Sequence, residues 1–469
     1  MNPKRITRIK PGIKPREGQY VLYWMQQAQR VHYNHALEHA ITIANLNNLP
    51  VLVYFGLTAN YPDANIRHYQ FMLEGLREVK EILLKFHINF VLKLGSPEES
   101  IVSLLDQAYA LIMDQGYLKH QVNWRKKVVE TIENNMYQMS VDIVDTDLIV
   151  PVHIASTKAE YGAYTLRPKI KKLFQEFRDF TQITPVKNQT SIRIDSDDDL
   201  SNIKLLLKKL DLDHVVEPSA FYKGGYLEAS RHFFDFITYK AENYLNSNDP
   251  STNYTSLLSM YLHFGQISSL EILERMTKAL HHGQIEGEVY DAYIEQLLVR
   301  RELAFNYVTY QKGYDQFDQM TEPWAYMTMN EHALDQREYL YNEYEIEHSQ
   351  THDPYFNAAM KEMFYTGYMH NYMRMYWAKK IIEWTSSHEL AYKMILKLNN
   401  KYFIDGRDPN SYASIAWCFG KHDRAWTERS IFGKLRYMNA AGLERKFNIS
   451  GYIDKVEEMV LEVTKIKSL

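Results

Sequence analysis

Residues 20–150 alternate between two hydrophobic patterns. The runs YVLYWM (20–25), VLVYFGL (51–57), NFVLKL (89–94), ALIMD (110–114) and DIVDTDLIV (142–150) are apolar with little alternation, which marks strands buried on both faces. Between them, ALEHAITIANLN (36–47) and HYQFMLEGLREVKEILLKF (68–86) carry apolar residues at helical spacing. Strand and helix in turn predict an α/β, doubly wound parallel sheet, which we bound at residues 1–155. No GxGxxG follows the first strand, so a dehydrogenase-type dinucleotide fingerprint is absent and the fold alone names no ligand.

Residues 186–216 are polar and acidic, and the stretch 156–216 reads as an interdomain linker. From 217 onward strand signals vanish. FDFITYKAENYL, SSLEILERMTKAL, YDAYIEQLLVRRELAFNYVTY and MRMYWAKKIIEWTSS are helical patterns, so 217–469 is expected to be all-α.

Composition adds exclusions. A chain of 469 residues is long enough for two or three domains. Its one cysteine, Cys418, rules out a disulfide framework or a Cys-based metal site, and no metal is expected. The basic opening MNPKRITRIKPGIKPREG lacks an apolar core, so it is no secretory signal, and no apolar run has the length of a membrane span. A cytoplasmic or nucleoid-associated protein is expected. The net charge of −4 means that any nucleic-acid site must be a local patch.

Five stretches carry candidate chemistry. In DGRDPN (405–410), Asp408 is a good N-cap and Pro409 suits the first helical position, which leaves Asp405, Arg407, Asn399 and Trp417 unexplained. Arg374 and Asp405, of opposite charge in apolar surroundings, are candidates to pair, either structurally or beside a flavin. In TSLLSMYLHFGQIS (255–268), Thr255 and Ser259 suit a helix cap or a phosphate site. In EQLLVRRELAFN (295–306), Arg301, Glu302 and Asn306 read as a buried ion pair or as the polar wall of a ligand site. Trp377 and Trp384 share one helical face with a rise of roughly 10 Å, which suits electron hopping as well as core packing. Finally, 420–446 interleaves Lys421, Arg424, Arg429, Lys434, Arg436, Arg445 and Lys446 with Trp426 and Tyr437, either a phosphate-contacting surface or a solvated helical face.

Taken in order, these motifs resemble one family. Trp24-Met25 with Arg30, TLRPK (165–169), SMYLHFGQIS (259–268), VRREL (299–303), THDPYFNAA (351–359), GYMHNYMRMYWAKKIIEWT (367–385), DGRDPN (405–410), HDRAW (422–426) and GKLRYMN (433–439) are similar to class II cyclobutane pyrimidine dimer photolyases. The likeness covers nearly the whole chain. It implies the photolyase/cryptochrome fold, FAD in the helical domain, a second antenna chromophore of deazaflavin or folate type in some members, and a monomer acting on UV-damaged DNA. It implies light-driven dimer repair by electron transfer from reduced FAD to a dimer flipped out of the duplex.

Residue by residue, the resemblance assigns Leu258, Ser259, Leu262, Gln266, Arg301, Glu302, Asn306, Arg374, Asp405, Gly406 and Asn410 to cofactor binding. Asn399 faces the flavin N5, Trp377 is the first photoreducing indole and Trp384 the last. Gln296, Met375, Trp417 and Arg436 fall at the lesion or DNA. The chain also departs from the family pattern. Phe356 stands where a relay tryptophan is expected, and Tyr355 is its neighbour. Met260 replaces a proline, Ser247 opens a segment that is basic in the family, Gln296 replaces a glutamate, and CFG (418–420) shortens a glycine-containing stretch. These departures keep open a cryptochrome-like photoreceptor without repair activity. A nucleotide-binding α/β module joined to a helical interaction domain is a further reading.

Overall fold

The computed structural model describes residues 1–13, 17–179 and 183–468, so Lys14, Pro15 and Arg16 of the basic opening and 180–182 of the expected linker lie outside the described residues. Six strands form one sheet: β1 (Ile6–Lys10), β2 (Tyr20–Trp24), β3 (Val51–Leu57), β4 (Asn89–Leu94), β5 (Ala108–Asp114) and β6 (Ser140–Val144). Across the sheet the order is β1, β6, β5, β2, β3, β4. All pairings are parallel except β1 with β6. Every residue of β2 and β3 is buried, which explains their unbroken apolar runs. The helices His35–Leu46 and Ile66–Lys85 follow β2 and β3, as their periodicity predicts.

Two sequence expectations shift. β1 lies inside the basic opening and escapes the pattern because it is a mostly exposed edge strand, ITRIK, paired antiparallel to β6. The run 142–150 ends as a strand at Val144. Asp145, Thr146 and Asp147 then turn the chain while remaining buried.

The described residues beyond 217 contain helices and a single isolated bridge, Arg429 with Gly433, in agreement with the all-helical expectation. The stretch expected as a linker carries the helices Ala163–Leu173 and Ile203–Lys209. Leu166 and Ile170 join the core of the helical half, and Leu206 and Leu207 join a cluster with the sheet and the Ile66–Lys85 helix.

Buried arginines tie the two halves together. Arg67 donates to the carbonyls of Glu217, Met363, Phe364 and Tyr402. Arg30 donates to Gly265 and Thr146. Gly265 has φ +65°, and a Cβ there would fall 1.9 Å from the Gln27 carbonyl, so only glycine permits this approach of the β2 loop. Among the described residues, no helix is long and apolar enough to cross a membrane.

Candidate flavin and lesion site

The helices Asn371–Trp384, His388–Tyr402 and Pro409–Cys418 converge on the loop 403–408. Asp408 caps the third helix as its sequence predicts, accepting the Asn410 N–H at 2.8 Å, with Pro409 in the first turn. Its other carboxylate oxygen meets His263 Nδ1 at 3.0 Å, and against the upward push of burial this contact holds its pKa below the ordinary aspartate range. Asn410 returns its amide to Asp408 at 2.9 Å.

Arg374 and Asp405 do pair. Their two parallel bonds measure 2.9 and 3.1 Å, Arg374 Nε donates to the Met369 carbonyl, and the guanidinium lies 3.9 Å from the Phe403 ring centroid. The bidentate fork fixes both partners in orientation as well as charge. Gly406 lets the loop close: a Cβ would sit 2.8 Å from the Asn399 carbonyl. Asn399 is buried and donates to Asn400 Oδ1 at 3.0 Å, while its own Oδ1 receives no hydrogen bond from the described residues. Trp377, on the helix that carries Arg374, has a buried indole N–H without a partner. A buried donor without a partner, the Trp377 N–H, and a free amide acceptor, Asn399 Oδ1, on the two helices that carry the Arg374–Asp405 fork and lead into its loop fit a heteroaromatic cofactor with ring amides.

Arg407, flagged in the sequence but unassigned, has φ +61° and is buried. Its guanidinium donates to the Asn400 carbonyl at 2.7 Å and meets His68 at 2.8 Å, so it clasps the loop to the α/β half.

The expected lesion residues fall into two groups. Trp417 is half-buried. Arg436 lies 5.1 Å from its ring and 4.1 Å from that of Trp426, and holds Asp423 with bonds of 2.9 and 3.1 Å. The Arg436 guanidinium thus bridges the two indoles, its charge already matched by Asp423. Beneath Trp417 lies Lys379, fully buried and donating to the Cys418 carbonyl, with its pKa pushed down to about 8 by burial. Nothing in the sequence distinguished Lys379 from its neighbours. Met375 is half-buried on the same helix as Arg374. Gln296 is exposed on the π-turn Glu295–Arg300, beside Glu295, which Arg167 grips at 2.7 and 2.9 Å. Among the cations of 420–446, Lys421 is buried against Glu322, while Arg424 and Arg429 remain exposed over Trp426 and Tyr437.

Several expected cofactor residues have their polar atoms engaged elsewhere. Gln266 is buried, accepting from the Gly225 N–H and donating to the Phe71 carbonyl. Arg301 binds Asp147 at 3.0 Å, and Asn306 clamps Glu160 N–H and the Lys158 carbonyl. Glu302 Oε1 accepts the N–H groups of Ile149 and Val150, its Oε2 has no partner, and burial pushes its pKa up to about 8. These side chains join the helical half to the turn after β6, the reading of 295–306 as buried polar pairing. Leu258 is buried and Leu262 half-buried in the helical core, and Ser259 is exposed at the start of the five-residue helix Ser259–His263.

The two indoles are buried, and Phe356 packs edge-on against Trp384 at 5.1 Å. Tyr355, its neighbour in sequence, points instead to Glu444 at 2.8 Å.

A concavity lies where the order of parallel strands reverses, between β2 and β5. This position outside the strand carboxyl ends is where doubly wound sheets bind ligands. The cleft, open on one side to solvent, is lined by Gln29, Tyr61, Tyr69, His68, Phe264 and Arg407 among others. Gln29 Oε1 is buried and unpartnered.

Comparison with known proteins settles the family. A curated protein of Methanothermobacter thermautotrophicus, named deoxyribodipyrimidine photo-lyase, is 43% identical over 465 residues, covering 98% of this chain and all of its own. The chain belongs to the DNA photolyase family. The profile named DNA photolyase matches residues 21–189. A further photolyase relative, from Arabidopsis thaliana and bearing the same name, is 37% identical over the whole chain and 95% of its own. Among solved structures, the class III photolyase of Agrobacterium tumefaciens superposes with TM-score 0.71 at 17% identity, over 94% of this chain and 86% of that one. The cryptochrome of Synechocystis superposes with TM-score 0.70 at 13% identity, over 92% and 87%. An archaeal photolyase from Sulfolobus tokodaii with two FAD molecules does so with TM-score 0.64 at 16% identity, over 93% and 89%. These three share the photolyase/cryptochrome fold.

Proposed function

We propose that this protein is a deoxyribodipyrimidine photo-lyase that repairs cyclobutane pyrimidine dimers in DNA with light. The observation that carries the reading is the Arg374–Asp405 fork, with the partnerless Trp377 N–H on the same helix and the partnerless Asn399 oxygen on the next. The curated relatives bear this enzyme name over the full chain. Held by Arg374, Asp405 and Asn399, reduced FAD would supply the light-driven one-electron chemistry that opens the cyclobutane bonds.

The chain's own part is positional. Arg374 fixes Asp405 beside the cofactor through its bidentate fork, and Asn399 presents an acceptor to a ring N–H. Trp417, steadied by Arg436, gives an extruded dimer a flat surface to stack on. Exposed Arg424 and Arg429 meet backbone phosphate, and Gln296 and Met375 border the lesion. Leu258, Ser259, Leu262, Gly406 and Asn410 frame the cofactor. The residue sets 1–155, 156–216 and 217–469 act as antenna-type domain, connector and catalytic domain of a monomer working on DNA in the cytoplasm or nucleoid. The cleft at the strand switch suits a planar second chromophore with a donor group for Gln29; the Sulfolobus tokodaii neighbour, for comparison, holds two FAD molecules.

The test is direct. The purified protein is reduced chemically, mixed with a thymine-dimer oligonucleotide and illuminated with near-ultraviolet or blue light. Dimer reversal that needs both light and reduction is the expected result. Bound flavin without reversal favours the photoreceptor reading, which Phe356 in place of the relay tryptophan supports.

A further inference from the structure

Trp384 is buried, and the ring that packs beside it in the expected relay position, Phe356, is an unsubstituted benzene that neither gives up an electron readily nor holds a transferable proton. On its outer side the surroundings differ. Tyr341 meets the indole edge-on with centroids 5.4 Å apart, and His352 does so at 5.2 Å. The Tyr341 N–H donates to the Trp384 carbonyl at 3.1 Å, which pins the loop to the helix end. The phenol and the imidazole are bonded to each other: Tyr341 Oη lies 2.7 Å from His352 Nδ1 and also accepts the His352 backbone N–H at 3.1 Å. Tyr339 stacks on the far face of the group, 3.8 Å from the His352 ring and 41% exposed. Four rings thus run from a buried indole to solvent.

We propose that Tyr341, with His352 as its proton acceptor, is the terminal electron donor of this chain, and that Tyr339 is the surface end of the route. The inference rests on the flavin reading above, because the oxidant is the radical cation left on Trp384 when light reduces the bound oxidised flavin. One electron passes from Tyr341 to Trp384 and restores the neutral indole. The phenolic proton moves from Oη to Nδ1, leaving a neutral tyrosyl radical and a histidinium. A thiol at the surface then supplies one electron and one proton, and the imidazolium releases its proton to water.

A phenol is easily oxidised only when its proton has somewhere to go, and the bond to Nδ1 provides that place in advance. The Lys380 ammonium, 5.4 Å from the Trp384 ring, disfavours positive charge on the indole and so drives the hole outward, although Glu383 partly offsets it at 2.7 Å. Tyr376 is the competing phenol. Its hydroxyl bonds the buried Asp353 and its ring carries Lys380 at 5.6 Å, so it offers no path to solvent.

The experiment is a laser flash on the flavin-loaded, oxidised protein, followed by transient absorption and electron paramagnetic resonance. Expected is a tryptophan radical that decays into a neutral tyrosyl radical. Tyr341→Phe should abolish the tyrosyl signal and prolong the tryptophan radical, His352→Leu should slow its formation, and Tyr339→Leu should slow recovery by added thiol. A tyrosyl signal undiminished in Tyr341→Phe, or none in the unmodified protein although flavin is reduced, overturns the proposal. So does the absence of any flavin photoreduction. Repair by chemically reduced protein, measured alongside, separates each of these failures from failure of the repair reading.

Discussion

Asn399 donates its side-chain N–H to Oδ1 of its own neighbour, Asn400, at 3.0 Å. Asn400 Oδ1 also accepts the backbone N–H of Arg407, so one amide orients the next and both depend on the loop that carries Asp405. The result is a carbonyl oxygen held ready, without a partner of its own.

Asn399→Ala should leave the fold intact, at a stability loss of about 1 kcal/mol for one hydrogen bond. It should shift the reduction potential of bound flavin. Spectroelectrochemical titration checks this; an unchanged potential with full flavin loading removes Asn399 from the site.

Asp405→Asn leaves Arg374 without its counter-charge in a largely enclosed position. Breaking a buried pair from one side costs on the order of 3 kcal/mol. Urea unfolding should show that loss, and flavin content after purification should fall with it.

Phe356→Trp puts an oxidisable indole against Trp384. Photoreduction of flavin should quicken, read by absorbance under continuous light. The site is closely packed, so a penalty of about 1–3 kcal/mol in unfolding free energy accompanies the gain. An unchanged rate means that electrons already reach the flavin by another path.

Arg436→Ala should weaken binding to dimer-containing DNA by freeing Trp417, seen as loss of preference for damaged over intact duplex. Because Asp423 already neutralises the guanidinium, the slope of affinity against salt should change little. A slope lower by nearly one charge would make Arg436 a phosphate contact instead.

Glu302 gives a pH signature. Its pKa rises from the unfolded value to about 8 in the fold, so the folded state binds the extra proton. That stabilisation is complete below the unfolded carboxylate range and is lost as pH climbs through about 8, at up to about 1.4 kcal/mol per pH unit. Glu302→Gln keeps the oxygen that Ile149 and Val150 use and removes the titration. Its melting temperature should exceed that of the unmodified protein at pH above 8 and match it in mild acid.

The sequence made β2, β3 and β5 legible because strands buried on both faces leave unbroken apolar runs, and Asp408-Pro409 announced its helix start unaided. β1 was hidden because an exposed edge strand needs no apolar pattern and owes its form to β6, over a hundred residues away. At the site, opposite charge was enough to pair Arg374 with Asp405. It did not distinguish a ligand wall from a domain joint. Arg301, Glu302, Asn306 and Gln266 are polar groups in apolar helices, and only their partners, which lie at 147–160 and on neighbouring backbone, say which they are. Lys379 left no trace, since a buried lysine in a helix looks in sequence like any solvated one.

Arg407 links the strand-switch cleft to the Asp405 loop. It lines the cleft at the strand switch, and it ties the loop that carries Asp405 to Asn400, the neighbour of Asn399 at the end of the preceding helix. Two pigments held in those places would share a rigid mount, their separation and relative tilt set by one guanidinium on its carbonyl and imidazole partners. Resonance transfer of excitation depends on both quantities, so under the two-chromophore proposal Arg407 would be the residue that sets the alignment of donor and acceptor.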